Sequence, residues 1–217
     1  MEKAVSQPSM RHFGVAEKLE KRVYLNMDML LKAIRHYIPL SSDDEAIIRS
    51  LFRVEKMQKG QHLLQAGNVC KNIFFIEQGL VRYYAITDGE EKTSYFNKEG
   101  EFVCDYASFL PQKPSKINIQ ALETCTVYFI SHNNMQLFYE RVKYGERFGR
   151  LGLEDVYVNL INQVNSLYND PPELRYQNFL TRFPDTGQRI PQYYIASYIG
   201  IKPQSLSRIR KRMSGKN

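Results

Sequence analysis

The sequence predicts an α+β chain: a β jelly roll with leading helices, then a long helix, then a terminal helix-turn-helix. Three observations predict it. Short apolar segments rich in β-branched and aromatic residues, punctuated by glycine, run from about Arg53 to Ser131. Beyond Ser131, apolar residues recur at intervals of three and four. Near the C-terminus, QYYIASYIGIKPQSLSRIR (Gln192 to Arg210) reads as two short helices joined at a glycine. With 217 residues and 43% hydrophobic content, the chain can bury substantial cores.

Residues 1–26 are polar, mixed in charge and without clear periodicity, as expected of a tail. The roll and its leading helices are expected over 27–133. Helical periodicity begins with LNMDMLLKAIRHYI, and Ser42-Asp43-Asp44-Glu45 fits a capping box ahead of AIIRSLFRV. Lys59-Gly60, Ala66-Gly67, Gln78-Gly79, Asp88-Gly89 and Glu99-Gly100 then mark tight turns. The strands between them include NIFFI, LVRYYAI, KTSYF, INIQAL and CTVYFI. Seven or eight such strands close into a sandwich or jelly roll.

A helical connector is expected over 134–168, in two pieces near Asn134–Tyr144 and Arg147–Tyr168. In the second piece Leu153, Val156, Leu160, Val164 and Leu167 form a stripe. It fits an ordinary core helix or a seam against a second copy. The seam is the preferred reading, because a helix-turn-helix gains specificity by reading two half-sites about 34 Å apart. Asn169-Asp170-Pro171-Pro172 breaks the helix and opens a last domain, 169–217. It starts with ELRYQNFLTRF and a turn at Pro184-Asp185-Thr186-Gly187.

In the terminal pair, small Ala196 lets the second helix cross close to the first, and Gly200 permits a left-handed turn. Ile195, Ile199, Ile201, Leu206 and Ile209 fill the wedge between them, and Pro203 sits at the helix start, where a missing N–H costs nothing. The outward face would carry Gln204, Ser205, Ser207, Arg208, Lys211 and Arg212, with Lys202 just before it. Glutamine and arginine can each pair with base edges in a major groove, so these residues are candidates for contact with double-stranded DNA. A solvated helix pair packed on its own domain is the plainer alternative. From Pro171 to Asn217 there are nine Lys or Arg against two acids, a surplus that equals the whole formal net charge of +7. Charge gathered at that end is what phosphate attraction requires.

Cys70, Cys104 and Cys125 are too few and too scattered for a disulfide framework and are expected to be buried, reduced thiols. His12, His36, His62 and His132 show no metal-binding spacing, so neither a metal nor another cofactor is expected, and no enzyme activity. No apolar run approaches the roughly 20 residues of a membrane helix, and the N-terminus lacks a signal-peptide core, so a cytoplasmic protein is expected.

Taken in order, Lys59-Gly60 with Gly67, IFFIEQGLVR (Ile73 to Arg82), Asp88-Gly89, Gly100-Glu101-Phe102 and the terminal helix pair resemble the family of the cyclic-AMP receptor protein and the fumarate and nitrate reduction regulator, the Crp/Fnr family. The resemblance runs through nearly everything after about Leu30. It implies a homodimeric transcription regulator with a cyclic-nucleotide-binding-like roll, in which an effector sensed by the roll reorients the DNA-reading helices through the long helix, and contact with RNA polymerase. It places the family's recognition residues on Gln204, Ser205 and Arg208. The ligand pocket would fall on Phe102, Cys104, Asp105, Ser115 and Lys116. There the sequence departs from the family: the Phe-Gly-Glu element reads Phe102-Val103-Cys104-Asp105-Tyr106, and the Arg-Ser or Arg-Thr pair falls on Ser115-Lys116. Lysine lacks the planar fork that matches a phosphate. The expectation is a pocket that does not bind cyclic AMP and an effector of unknown identity. The chain ends shortly after Arg212, so a full wing hairpin is not expected. Two other function classes stay open: a small-molecule-binding signalling module whose C-terminal helices contact protein, and a cupin-like metalloenzyme.

Overall fold

Residues 27–184 and 186–215 are described by a computed structural model. The expected tail over 1–26 lies outside the described residues, as do Asp185, Lys216 and Asn217. Two helices lead in, α1 (Asp28–Arg35) and α2 (Ser42–Leu51). α1 turns Leu30, Leu31 and Ile34 inward at helical spacing, and α2 does the same with Ile48 and Leu51.

The capping box lies one residue earlier than the sequence reading places it. Ser41 is the cap: its hydroxyl accepts from the Asp44 N–H at 3.2 Å, and the Asp44 carboxylate accepts from the Ser41 N–H at 2.9 Å. The choice is tertiary. Asp44 is buried and also accepts from the Lys143 N–H at 2.8 Å, whereas Glu45 pairs with Arg35 nearer the surface. Burial pushes the Asp44 carboxyl up, but the bonds from Ser41 and Lys143 outweigh it and hold the group below the usual carboxylate range.

The roll comprises β1 (Arg53–Met57), β2 (His62–Leu64), β3 (Asn72–Gln78), β4 (Val81–Thr87), β5 (Glu90–Asn97), β6 (Phe102–Val103), β7 (Asn118–Ala121) and β8 (Cys125–Ser131), with a short helix, α3 (Tyr106–Phe109), before β7. They form two four-stranded antiparallel sheets, ordered β1-β8-β3-β6 and β2-β7-β4-β5. Phe75, Ile76, Val81, Ile119 and Val127 from both sheets are fully buried in the core. Two turns show why the glycines are needed. Asp88 and Gly89 both have positive φ, 55° and 77°, between the paired Thr87 and Glu90, the geometry of a two-residue hairpin. At Gly79, with φ of 111°, an added Cβ would lie 2.4 Å from Cys125 Sγ.

After the roll come α4 (His132–Arg141), capped by the Ser131 hydroxyl, and α5 (Gly145–Asn169). The 25 residues of α5 extend about 37 Å. Its first turns are anchored by Phe148, whose ring meets Tyr37, Phe102 and Phe138. From Val156 onward most of its apolar side chains are exposed. Pro171 caps the next helix, α6 (Pro172–Arg182), and α7 (Gln192–Tyr198) and α8 (Pro203–Met213) follow.

Two buried clusters result. The first fills the roll and takes in α1, α2 and α4. The second joins Leu80, Phe96 and Leu122 of the roll to Tyr176, Phe179, Phe183, Ile190, Ile195, Ile199, Leu206 and Ile209. The terminal helices therefore close on the roll of their own chain. Among the described residues, no helix is long and apolar enough to cross a membrane.

Candidate nucleic-acid interface

The terminal pair is a helix-turn-helix of the expected construction. α7 ends at Tyr198 with Ile199 as its C-cap, and Gly200 turns the chain with φ of 71°. The Gly200 N–H donates to the Ser197 carbonyl at 3.0 Å and the Ile201 N–H to the Ala196 carbonyl at 2.9 Å, which closes the turn without help from side chains. Ala196 is fully buried where the helices cross, among Ile195, Ile199, Leu206 and Ile209. Lys202 is the extended cap of α8 and Pro203 its first residue.

With Leu206 and Ile209 turned inward, Gln204, Ser207, Arg208 and Lys211 fall at i, i+3, i+4 and i+7 and form an exposed stripe on the opposite side. Lys202, Ser205 and Arg212 flank it and are also exposed. Arg212 pairs with Glu173 of α6. Exposed Arg210 completes the basic edge; the same sequence signal marked it, yet the sequence reading passed it over. Arg210, Lys211 and Arg212 also suit the negative end of the α8 dipole.

The joint between these helices and the roll is polar as well as aromatic. Phe96 of β5 meets the rings of Phe179, Phe183 and Tyr198. Arg82 of β4 is 1% exposed, its guanidinium lying between the rings of Tyr84 and Tyr194 at 4.0 and 3.7 Å. It donates to Gln120 at 2.7 Å and to Glu91 at 2.6 Å. Ser197 of α7 accepts from the Thr93 N–H at 2.8 Å. Arg189 reaches Glu99 at 2.7 Å and also pairs with Glu123. Burial would raise the Glu99 carboxyl, but bonds from Arg189 and the Gly79 N–H hold it below the usual range.

These contacts revise the charge reading. Arg189 is neutralised by acids of the roll, Arg182 bonds the Tyr95 hydroxyl, and Arg175 donates to the Leu167 and Asp170 carbonyls, both at 3.0 Å. Three arginines counted toward phosphate attraction thus hold the chain together, and the free positive charge is concentrated on α8. No sequence-local signal exposed the joint, because its partners come from distant strands.

Of the five residues expected at the roll pocket, the structure brings two into contact. The Ser115 hydroxyl donates to the Asp105 carboxylate at 2.6 Å, and the same carboxylate caps α3 by accepting from the Ala107 N–H at 3.2 Å. The Cys104 N–H donates to the Tyr83 hydroxyl oxygen at 3.1 Å. Lys116 is exposed, and Phe102 turns toward Phe75 and Phe148. Among the described residues, no three His, Cys, Asp or Glu side chains converge as a metal-binding group.

Residues 54–142, from β1 through the end of α4, match the cyclic nucleotide-binding domain family. Over 76 residues the chain is 37% identical to the fumarate and nitrate reduction regulatory protein of Vibrio cholerae serotype O1 and 38% identical to that of Yersinia pestis. The matched segment is 35% of this chain and spans 30% of the length of each of those relatives. FixK2 from Bradyrhizobium japonicum shares the fold, with a TM-score of 0.68 at 12% identity over 76% of this chain and 85% of that one. The roll thus matches the cyclic nucleotide-binding domain family, a 76-residue segment is similar to two fumarate and nitrate reduction regulatory proteins, and the order of roll, long helix and helix-turn-helix is a fold shared with FixK2.

Proposed function

We propose that the chain is a dimeric, sequence-specific DNA-binding transcription regulator whose roll does not take cyclic AMP. The observation that carries this is the exposed stripe Gln204, Ser207, Arg208 and Lys211 on α8, held outward by the buried wedge on its other side. A helix so placed offers bidentate donors and acceptors to base edges, and the surrounding basic residues offer phosphate contacts. The similarity to two fumarate and nitrate reduction regulatory proteins favours the same reading.

Dimerisation is supported by α5. Val156, Leu160, Val164 and Leu167 are exposed on one face, Leu160 by 53%, with Leu153 half-buried at its root. A contiguous apolar face of this kind is costly in water and fits a second copy of the same helix. Replacing Leu160 with Glu is expected to yield monomers by light scattering and to weaken DNA binding; an unchanged mass would remove the seam.

Two features weigh against cyclic AMP. The groups that would meet it, the Cys104 N–H and the Asp105 carboxylate, are already bonded within the chain. A cyclic phosphate buried without an arginine would also lack its counter-charge, at a cost of several kcal/mol.

Selection of bound sequences from a random duplex DNA library by the purified protein, with no ligand added, tests the reading. An enriched inverted repeat is the expected result. Enrichment that appears only with cyclic AMP would overturn the proposal for the roll, and none under either condition would overturn the proposal for DNA.

A further inference from the structure

The reading above leaves two thiols of the roll without a role. Cys70 precedes β3 and Cys104 follows β6, and the fold brings their sulfurs to 4.0 Å of each other, both side chains buried. The sequence reading treated them as unrelated. The Cys70 loop is tethered to the α3 segment: its N–H donates to Ser108 Oγ at 2.9 Å, and its carbonyl accepts from Gln112 Nε2 at 3.3 Å. Tyr83 receives the Cys104 N–H on the other side. Both cysteines are therefore positioned by bonds independent of the thiols.

Cys70 lines a cavity of about 230 Å³ together with His62, Gln65, Asn68 and Lys71. At about 30 Å³ per water, that space admits a small polar oxidant. The third thiol is arranged differently. Cys125 lies beneath Gly79, with its thiol turned to the Glu123 carbonyl at 3.3 Å and the Leu80 carbonyl at 3.6 Å.

We propose that Cys70 and Cys104 are a peroxide-reactive pair that closes to an intramolecular disulfide. The Cys70 thiolate attacks one oxygen of hydrogen peroxide and the O–O bond breaks. The hydroxide released takes up the proton Cys70 has lost and leaves as water, and Cys70 becomes a sulfenic acid. The Cys104 sulfur then attacks the Cys70 sulfur and the S–O bond breaks; the departing oxygen takes the Cys104 proton and leaves as a second water. Two thiols lose two electrons and peroxide gains them. The order of attack follows from the surroundings: the hydrogen bond from Cys104 lowers the Cys70 thiol despite its burial, whereas burial pushes the Cys104 thiol up. The bond would join the loop before β3 to the turn after β6, two residues from Phe102, whose ring packs on Phe148 at the root of α5.

Reduced full-length protein treated with hydrogen peroxide, unfolded and alkylated, tests this by mass spectrometry. The expected outcome is loss of two of the three thiols, a mass lower by about 2 Da before alkylation, a linked peptide containing Cys70 and Cys104, and Cys125 still alkylated. Cys125→Ser should form the same link, and Cys104→Ser should stop at an oxygen adduct on Cys70. Three alkylated thiols, oxygen adducts on the wild type without a link, or a link through Cys125 would each overturn the proposal. The wild-type measurement decides the matter even if a buried-site variant fails to fold.

Discussion

The Asp105 region and the outer face of α8 make opposite use of similar polar groups. Around Asp105, the carboxylate, the Ser115 hydroxyl and the Cys104 N–H are all bonded to one another or to Tyr83. Along α8, Gln204, Ser207, Arg208 and Lys211 face water. The first region is closed by its own chemistry and the second is open to a partner. Buried polar groups need partners, and around Asp105 they find them within the chain. The exposed groups of α8 are under no such constraint.

That contrast can be broken in four ways. The largest effect is expected at the joint that presents α8. Phe96→Ala removes the ring shared by Phe179, Phe183 and Tyr198 and should cost about 3–5 kcal/mol of stability, measured by urea unfolding. A cost near zero would mean that the terminal helices do not depend on the roll. Next is Arg208→Ala, which should remove specific DNA binding and leave the dimer intact. One lost bidentate contact is worth about 1–3 kcal/mol per half-site, read by anisotropy at fixed salt. Retained sequence preference would move the reading face elsewhere.

A smaller loss is expected from Asp105→Ala, which removes the α3 cap and the Ser115 bond. It should lower stability by about 1–2 kcal/mol with DNA affinity unchanged. A specific loss of DNA binding would instead make the closed region part of the signal path. The finest test is pH. Glu99 is held below the usual carboxylate range in the folded state, so its stabilising contribution is present above the unfolded value of about 4.3 and is lost as pH falls through the folded one. Glu99→Gln should flatten that acid limb in thermal unfolding. An unchanged limb would assign acid sensitivity to other carboxylates, Asp44 foremost.

Local chemistry was legible in the sequence. Glycines with positive φ fall at the turns their neighbours announce, Pro171-Pro172 ends α5 and opens α6, and the spacing of Leu206 and Ile209 sets which side of α8 faces out. Each of these depends on atoms a few residues apart, and steric rules act at that range. The capping box slipped by one residue because Asp44 is chosen by Lys143, 99 residues away. The charge surplus was counted correctly but placed too broadly, since Arg189 is matched by Glu99, 90 residues distant. The pairing of Cys70 with Cys104 and the burial of Arg82 between Tyr84 and Tyr194 belong to the same class. Sequence by itself determined the order and type of the elements and the outward face of the last helix. Only the tertiary structure decided which polar groups are already spent on one another, because that depends on strands and helices meeting across the fold, and no spacing along the chain encodes it.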